Sequence, residues 1–132
     1  MERTITNPWK WQDQRGFVQA NLVSGVQRTL VYSGQTSVDA DGTPVRVVGG
    51  MAGQINQALD NLDTVLREGG FKLSDIVRLN YYTTDVDGFF EAIEVVGSRL
   101  AESGCRAAST LLGVTRLAFP ELLVEIEATA VA

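Results

Sequence analysis

The closing stretch VEIEATAV places Glu125 and Glu127 two residues apart. On a strand both side chains leave the same face, about 7 Å apart at ~3.3 Å per residue. A carboxylate held there in a partly dry cleft can position and polarise a water, with its pKa drawn toward neutrality. The same spacing also describes a solvated or ion-paired strand face, and spacing alone leaves both readings open. Few other groups compete for acid/base work. The sequence has no histidine, which removes the commonest general base and the commonest metal ligand together. Its one cysteine, Cys105, allows no intrachain disulfide framework, resembles no zinc cluster and has no histidine to activate it. Asp39 and Asp41 read as turn chemistry, so no metal and no cofactor is expected. A second charge stands out in CRAASTLLG, where Arg106 borders a run of small and apolar residues. A guanidinium there either clamps an anion or flanks a strand.

The acids need a sheet to hold them. GFVQANLVSG and RTLVYSGQ read as two strands joined by a turn at Ser24 to Gln27, and DADGTPV as a tight turn. In MAGQINQALDNLDTVLREGG the residues Met51, Ile55, Leu59, Leu62 and Leu66 recur at three- and four-residue spacing, which predicts a helix stopped by Gly69 and Gly70. SDIVRLNYYTTD alternates as a strand, with Val77, Leu79 and Tyr81 on one side and Arg78, Asn80 and Tyr82 on the other. DVDGFFEAIEVVGSRLAESG returns to helical period through Phe89, Ile93, Val96 and Leu100. AASTLLGVTRL and LLVEIEATAVA close the chain as strands. The order β-β-α-β-α-β-β predicts an α+β fold: a mixed sheet with two helices on one face, parallel neighbours around a helical crossover, and hairpins at the ends.

Two helices cannot cover both sheet faces. Val124, Ile126, Ala128 and Ala130 are expected beneath them, leaving Leu123, Glu125, Glu127 and Thr129 with Arg78, Asn80 and Tyr82 on the other side. That half-polar face either meets water or is covered by another subunit. Leu123, Tyr82 and the alanine-rich edges favour the oligomer. Trp9, Trp11 and Phe17 cluster ahead of the first strand, as a lid, a subunit contact or core.

The 132 residues amount to one domain, with 45% hydrophobic and 20% charged residues as in ordinary globular proteins. A net charge of -5 offers no basic footprint, so no nucleic-acid partner is expected. MERTITNPWKW has no apolar signal core and no window reaches the length of a membrane span, which points to a cytoplasmic protein without a membrane partner.

VYSGQ at Val31–Gln35, QALDNLDTVLREGG, SDIVRLNYYTTD, the following Phe89 and the closing VEIEATAV, in that order, resemble the RidA family of reactive intermediate deaminases, also called YjgF. The resemblance runs from about Phe17 to the end. It implies a single RidA-like domain over residues 1–132 and a chorismate-mutase-like fold. It also implies a homotrimer whose sheets form a central barrel, with helices outside and small-molecule clefts between subunits. The activity implied is hydrolysis of enamine/imine intermediates such as 2-aminoacrylate to a keto acid and ammonia. In the family an arginine pairs with the substrate carboxylate, and a glutamate on the last strand positions the water.

Carried over residue by residue, the glutamate falls on Glu125 and the close-approach glycine on Gly34. A cleft tyrosine falls on Phe17, which lacks the hydroxyl, and an asparagine falls on Ile93. The family's Pro-Ala-Arg-Ser aligns on AAST, which puts Ser109 at the arginine and Thr110 at the serine. Arg106 lies three positions earlier, an odd offset that turns it to the opposite face of a regular strand. Arg116 is a second candidate near the strand's far end, and LAFPELL needs a small insertion. A pocket of Ser109, Thr110, Phe17 and Glu125 is expected to suit a neutral or cationic molecule, with 2-aminoacrylate deamination weak or absent.

Two functions follow. One is a trimeric hydrolase of a small imine, enamine or related reactive nitrogen metabolite, with Glu125 holding the water. The other is a non-catalytic trimer that binds a metabolite in the same clefts. The ribonuclease or translation-inhibitor activity attributed to the family sits badly with the acidic composition.

Overall fold

In a computed structural model, which describes residues 1–45 and 49–132, the stripe Ile55, Leu59, Leu62 and Leu66 turns one face of α1 (Gly50–Glu68) into the core, each residue at most 1% exposed. This helix lies against β6 (Val124–Val131), where Val124, Ile126, Ala128 and Ala130 are buried. The period of two puts those four side chains under the helix and Glu125, Glu127 and Thr129 on the opposite face.

The main sheet has four strands in the order β3 (Thr29–Val31), β6, β4 (Ile76–Thr83), β5 (Ala108–Gly113). β6 runs antiparallel to β3 and β4, and β4 runs parallel to β5. The parallel pair is joined by a crossover through α2 (Val86–Glu91) and α3 (Ile93–Ser103). Asp85 caps α2 by accepting the Gly88 backbone N–H at 3.0 Å. Phe89, Val96 and Leu100 pack from the crossover into the same core as α1. The expected mixed α+β sheet with helices packed on it is therefore formed.

Four details differ from expectation. First, Glu2–Thr6 is a strand, β1, paired antiparallel with β2 (Ala20–Ser24) in a separate two-stranded ribbon. Second, neither terminal pair is a hairpin, because β6 occupies the slot between β3 and β4, and β2 pairs with β1 instead of β3. Third, the second helix breaks at Ala92, and Ile93 leaves the buried stripe and is 37% exposed. Fourth, β5 ends at Gly113, and a bulge shifts the register between Ile76 and Arg78. The bulge buries Ile76 and leaves Val77 half-buried.

The ribbon is stitched to the start of β4 and β5 by two side chains. Arg3 donates to the carbonyls of Ser74 at 3.0 Å and Ile76 at 3.1 Å, to that of Arg106, and to Asn21 Oδ1 at 2.9 Å. Asn21 Nδ2 donates to the carbonyls of Val77 at 2.9 Å and Arg106 at 3.0 Å. Carbonyls at the bulge and at the strand's edge thereby find partners. Val18 continues along β5 by donating its N–H to Ala107 O at 3.1 Å, which sets the preceding residues beside that strand.

Candidate active site

The face of the sheet away from the helices carries a polar row. In register, Asn80 lies opposite Glu127 and Tyr82 opposite Glu125. Glu127 accepts from Asn80 Nδ2 at 3.0 Å and from the Tyr82 hydroxyl at 2.5 Å. These two bonds, Tyr82's first, hold its carboxyl below the usual carboxylate range. Glu125 has no such donors. Desolvation, and then the charge of Glu127, push its carboxyl above that range. Two acids on one strand are thus driven in opposite directions by their surroundings.

Gly34 forms the wall beside Glu125. A Cβ at this position would overlap Glu125 Oε1 and sit 2.6 Å from its Cδ and 2.7 Å from its Cγ. The glycine therefore lets backbone lie flat against the carboxylate. This segment is fixed by Gln35, whose N–H donates to Ile126 O at 2.7 Å and whose carbonyl accepts from Ile126 N at 2.9 Å.

On the helix side a cavity of about 940 Å³ opens between α2, α3, β5 and the segment before Val18. It is large enough for a small organic molecule. Its wall includes Phe17, Tyr81, Phe89, Ile93, Ser109 and Leu111. At its margin stand Asp13 and Arg15 from the 3-10 turn Trp11–Arg15, and Glu94 from the first turn of α3. Trp11 meets Phe17 edge-on, with ring centroids 5.8 Å apart, and Trp9 stacks on Trp11 at 6.5 Å.

The family described as Endoribonuclease L-PSP matches residues 13–132. A RutC family protein of Pyrococcus horikoshii is 32% identical over 101 residues, covering 76% of this chain and 77% of that protein. A RutC family protein of Aquifex aeolicus is 31% identical over 115 residues, 87% of each chain. The crystal structure of a protein of unknown function from the conserved Rid family, YyfB of Yersinia pestis, matches with a TM-score of 0.84 at 36% identity, over 100% of both chains. The chain belongs to the Rid family.

Within this Rid-family chain the expected site residues divide between the two faces. Phe17, Ile93 and Ser109 line the cavity together. Glu125 and Gly34 meet on the opposite face. Thr110 lies opposite Asn80 in register, and its Oγ1 accepts from the Arg78 guanidinium at 2.6 Å, so it belongs with Glu125's face and not with Ser109's. One chain does not bring Ser109, Thr110, Phe17 and Glu125 to one point, because adjacent strand residues point to opposite sides. Arg106 precedes β5 and is exposed, beside a smaller recess of about 440 Å³ with Cys105, Asp13 and Phe17. Arg116 is exposed in the connection between β5 and β6. Cys105 is buried, and burial pushes its thiol up to about 11, which makes it a poor nucleophile. Sequence reading did not pick out Arg15, Asp13 or Glu94. Arg15 lies two residues before Phe17, and that proximity was the one available signal. Among the described residues no helix is long and apolar enough to cross a membrane.

Proposed function

We propose that the chain is a homotrimeric hydrolase of a small imine or enamine, with the cavity of one subunit completed by Glu125 of a neighbour. The observation that carries this reading is the opposed pair on β6. Glu125 is partly desolvated with a raised carboxyl, and Glu127 beside it is held below the usual carboxylate range. A carboxylate of raised basicity that is not consumed by internal hydrogen bonds can take a proton from a water. The chemistry asks for little more. An enamine takes a proton at carbon and gives one up from nitrogen to become an imine. Water then adds to the C=N carbon while the nitrogen gains a proton. The carbinolamine loses ammonia and leaves a carbonyl product. Ser109, on the alignment that puts the family's carboxylate-pairing arginine there, offers no charge to a small acid held at that point. Turnover of 2-aminoacrylate is therefore expected to be weak or absent. The ribonuclease implied by the family's description fits poorly with a net charge of -5 and no histidine.

The test is Glu125→Ala assayed for ammonia release across a panel of enzymatically generated imines. A hydrolase loses turnover and keeps its ligand affinity within a few-fold. If the wild type turns over no member of the panel, and the variant merely binds the ligands less tightly, the chain is a metabolite receptor instead.

A further inference from the structure

The cavity's wall is apolar and aromatic, but its margin is charged, and the charges are not balanced by one another. Arg15 makes no ion pair among the described residues, where the side-chain ion pairs are Arg67–Asp63 and Arg99–Asp60. Its guanidinium lies over the Trp11 ring, 5.9 Å from the centroid. A guanidinium that lies over an aromatic ring and makes no ion pair keeps N–H donors free for a planar acceptor. Trp11 is braced by Trp9 and Phe17. The turn beneath is anchored by the fully buried Gln12, which donates to Trp9 O and, at 3.3 Å, to Asp13 Oδ1, and accepts from Gln19 Nε2 at 3.4 Å. Arg15 is therefore a cation at the mouth of a cavity whose lining, among the described residues, holds no other cation. The two acids of the margin, Asp13 and Glu94, repel a simple anion but accept from a cationic or N–H-bearing nitrogen.

We propose that Arg15 is the anion-binding residue of this cavity, and that the site takes a small carboxylate carrying both a hydrogen-donating nitrogen and a bulky apolar tail. The tail lies against Phe17, Phe89, Ile93 and Leu111, the carboxylate meets Arg15, and the nitrogen lies toward Asp13 and Glu94. The proposal deepens the functional reading above and rests on the cavity being the ligand site. It replaces the expectation of a neutral or cationic ligand, which took no account of Arg15. It also gives a second reason for poor use of 2-aminoacrylate, a molecule with no tail to fill the cavity.

The two tryptophans of the sequence pack next to this lining, Trp11 against Phe17 and Arg15 and Trp9 on Trp11, so their fluorescence, excited at about 295 nm to avoid phenylalanine and tyrosine, reports occupancy. Titrations use L-phenylalanine, 3-phenylpropionate without the nitrogen, phenethylamine without the carboxylate, and L-alanine without the tail. Calorimetry provides a second readout. L-phenylalanine is expected to bind best. Arg15→Met should weaken L-phenylalanine and 3-phenylpropionate about five- to tenfold while leaving phenethylamine unchanged, and Arg15→Lys should restore part of the loss. Arg15 is exposed, so the variants should keep the wild-type melting temperature. Unchanged L-phenylalanine affinity in Arg15→Met overturns the proposal, as does wild-type protein that binds none of the four. The same loss in Arg106→Met but not in Arg15→Met would move the anion to Arg106. Because binding does not need Glu125, this pattern can hold even if imine turnover is absent, and the two failures are separable.

Discussion

Glu127 accepts two hydrogen bonds, whereas Glu125 lies against the bare backbone of Gly34. That asymmetry has a pH consequence. Desolvation and the Glu127 charge raise the Glu125 carboxyl, so its ionised form is reached at a higher pH than for an ordinary carboxylate. If Glu125 works as a base, kcat/KM rises as pH passes upward through that raised value. Glu127→Gln removes the neighbouring charge and should move the acidic limb to lower pH in a pH–rate profile. A limb that stays in place would assign it to another group. Gly34 offers a separate handle on the same carboxylate. Its φ lies outside the left-handed region, so alanine strains no backbone there, yet the new Cβ must push Glu125 aside. Gly34→Ala should reduce turnover on the order of 10²-fold with an unchanged melting temperature, since displacement of a catalytic group by about 1 Å costs that much. Full activity in Gly34→Ala would mean the position of Glu125 is immaterial. The two-residue spacing of the acids was legible in the sequence. Their opposite directions were not, because Asn80 and Tyr82 reach Glu127 across strands from 47 and 45 residues away. Arg15 escaped notice for a related reason: Phe17 two residues on marks a cleft, but the α2, α3 and β5 surfaces that close it lie far along the chain.

At the scale of elements, the N-terminal ribbon is tied to the sheet by Arg3 and Asn21, and Arg3 makes the longer reach. Arg3 bridges β1 to carbonyls 71, 73 and 103 residues away. Charged donors to half-buried carbonyls contribute about 1.5–3 kcal/mol in favourable cases, and partial exposure reduces this. Arg3→Met should therefore lower stability by about 1–2 kcal/mol, seen as a lower urea midpoint at unchanged m-value. It should also speed amide exchange in Glu2–Thr6. A wild-type midpoint would show that the ribbon is held by its own strand pairing. These long separations explain what sequence could and could not deliver. The helix α1 was readable because Ile55, Leu59, Leu62 and Leu66 state its period locally. The buried face of β6 was readable for the same reason. The partners of β6 were not, because alternation tells which side a residue faces and not which strand lies alongside. The terminal hairpins were inferred from short connections, and the central slot taken by β6 overrode them. The strand β1 spans five residues and has meaning only when β2 is beside it.

For the whole molecule, the decisive fact is that the cavity and Glu125 lie on opposite faces of one sheet. A ligand in the cavity of an isolated chain does not touch Glu125 of that chain. The uncovered face also carries Val31, 75% exposed, and Leu112, 49% exposed, while Asn80 Oδ1 is buried there without a hydrogen-bond partner. Exposed apolar side chains beside an unpaired buried acceptor are better suited to a subunit contact than to water. In the proposed homotrimer each site takes its wall from one chain and its acid from the next, which makes complementation between two inactive variants possible. Glu125→Ala has an intact cavity and no base. Ser109→Trp fills the cavity and keeps the base. Each alone should be inactive on a substrate the wild type hydrolyses. Co-expressed in equal amounts, they should regain activity in about a quarter of the sites, because random assortment pairs an open cavity with a neighbouring glutamate that often. Sedimentation velocity run alongside must show trimers in every sample. Trimers without regained activity would mean that each site draws its acid from its own chain. Monomers at micromolar concentration that still turn over substrate would remove the need for a neighbour altogether.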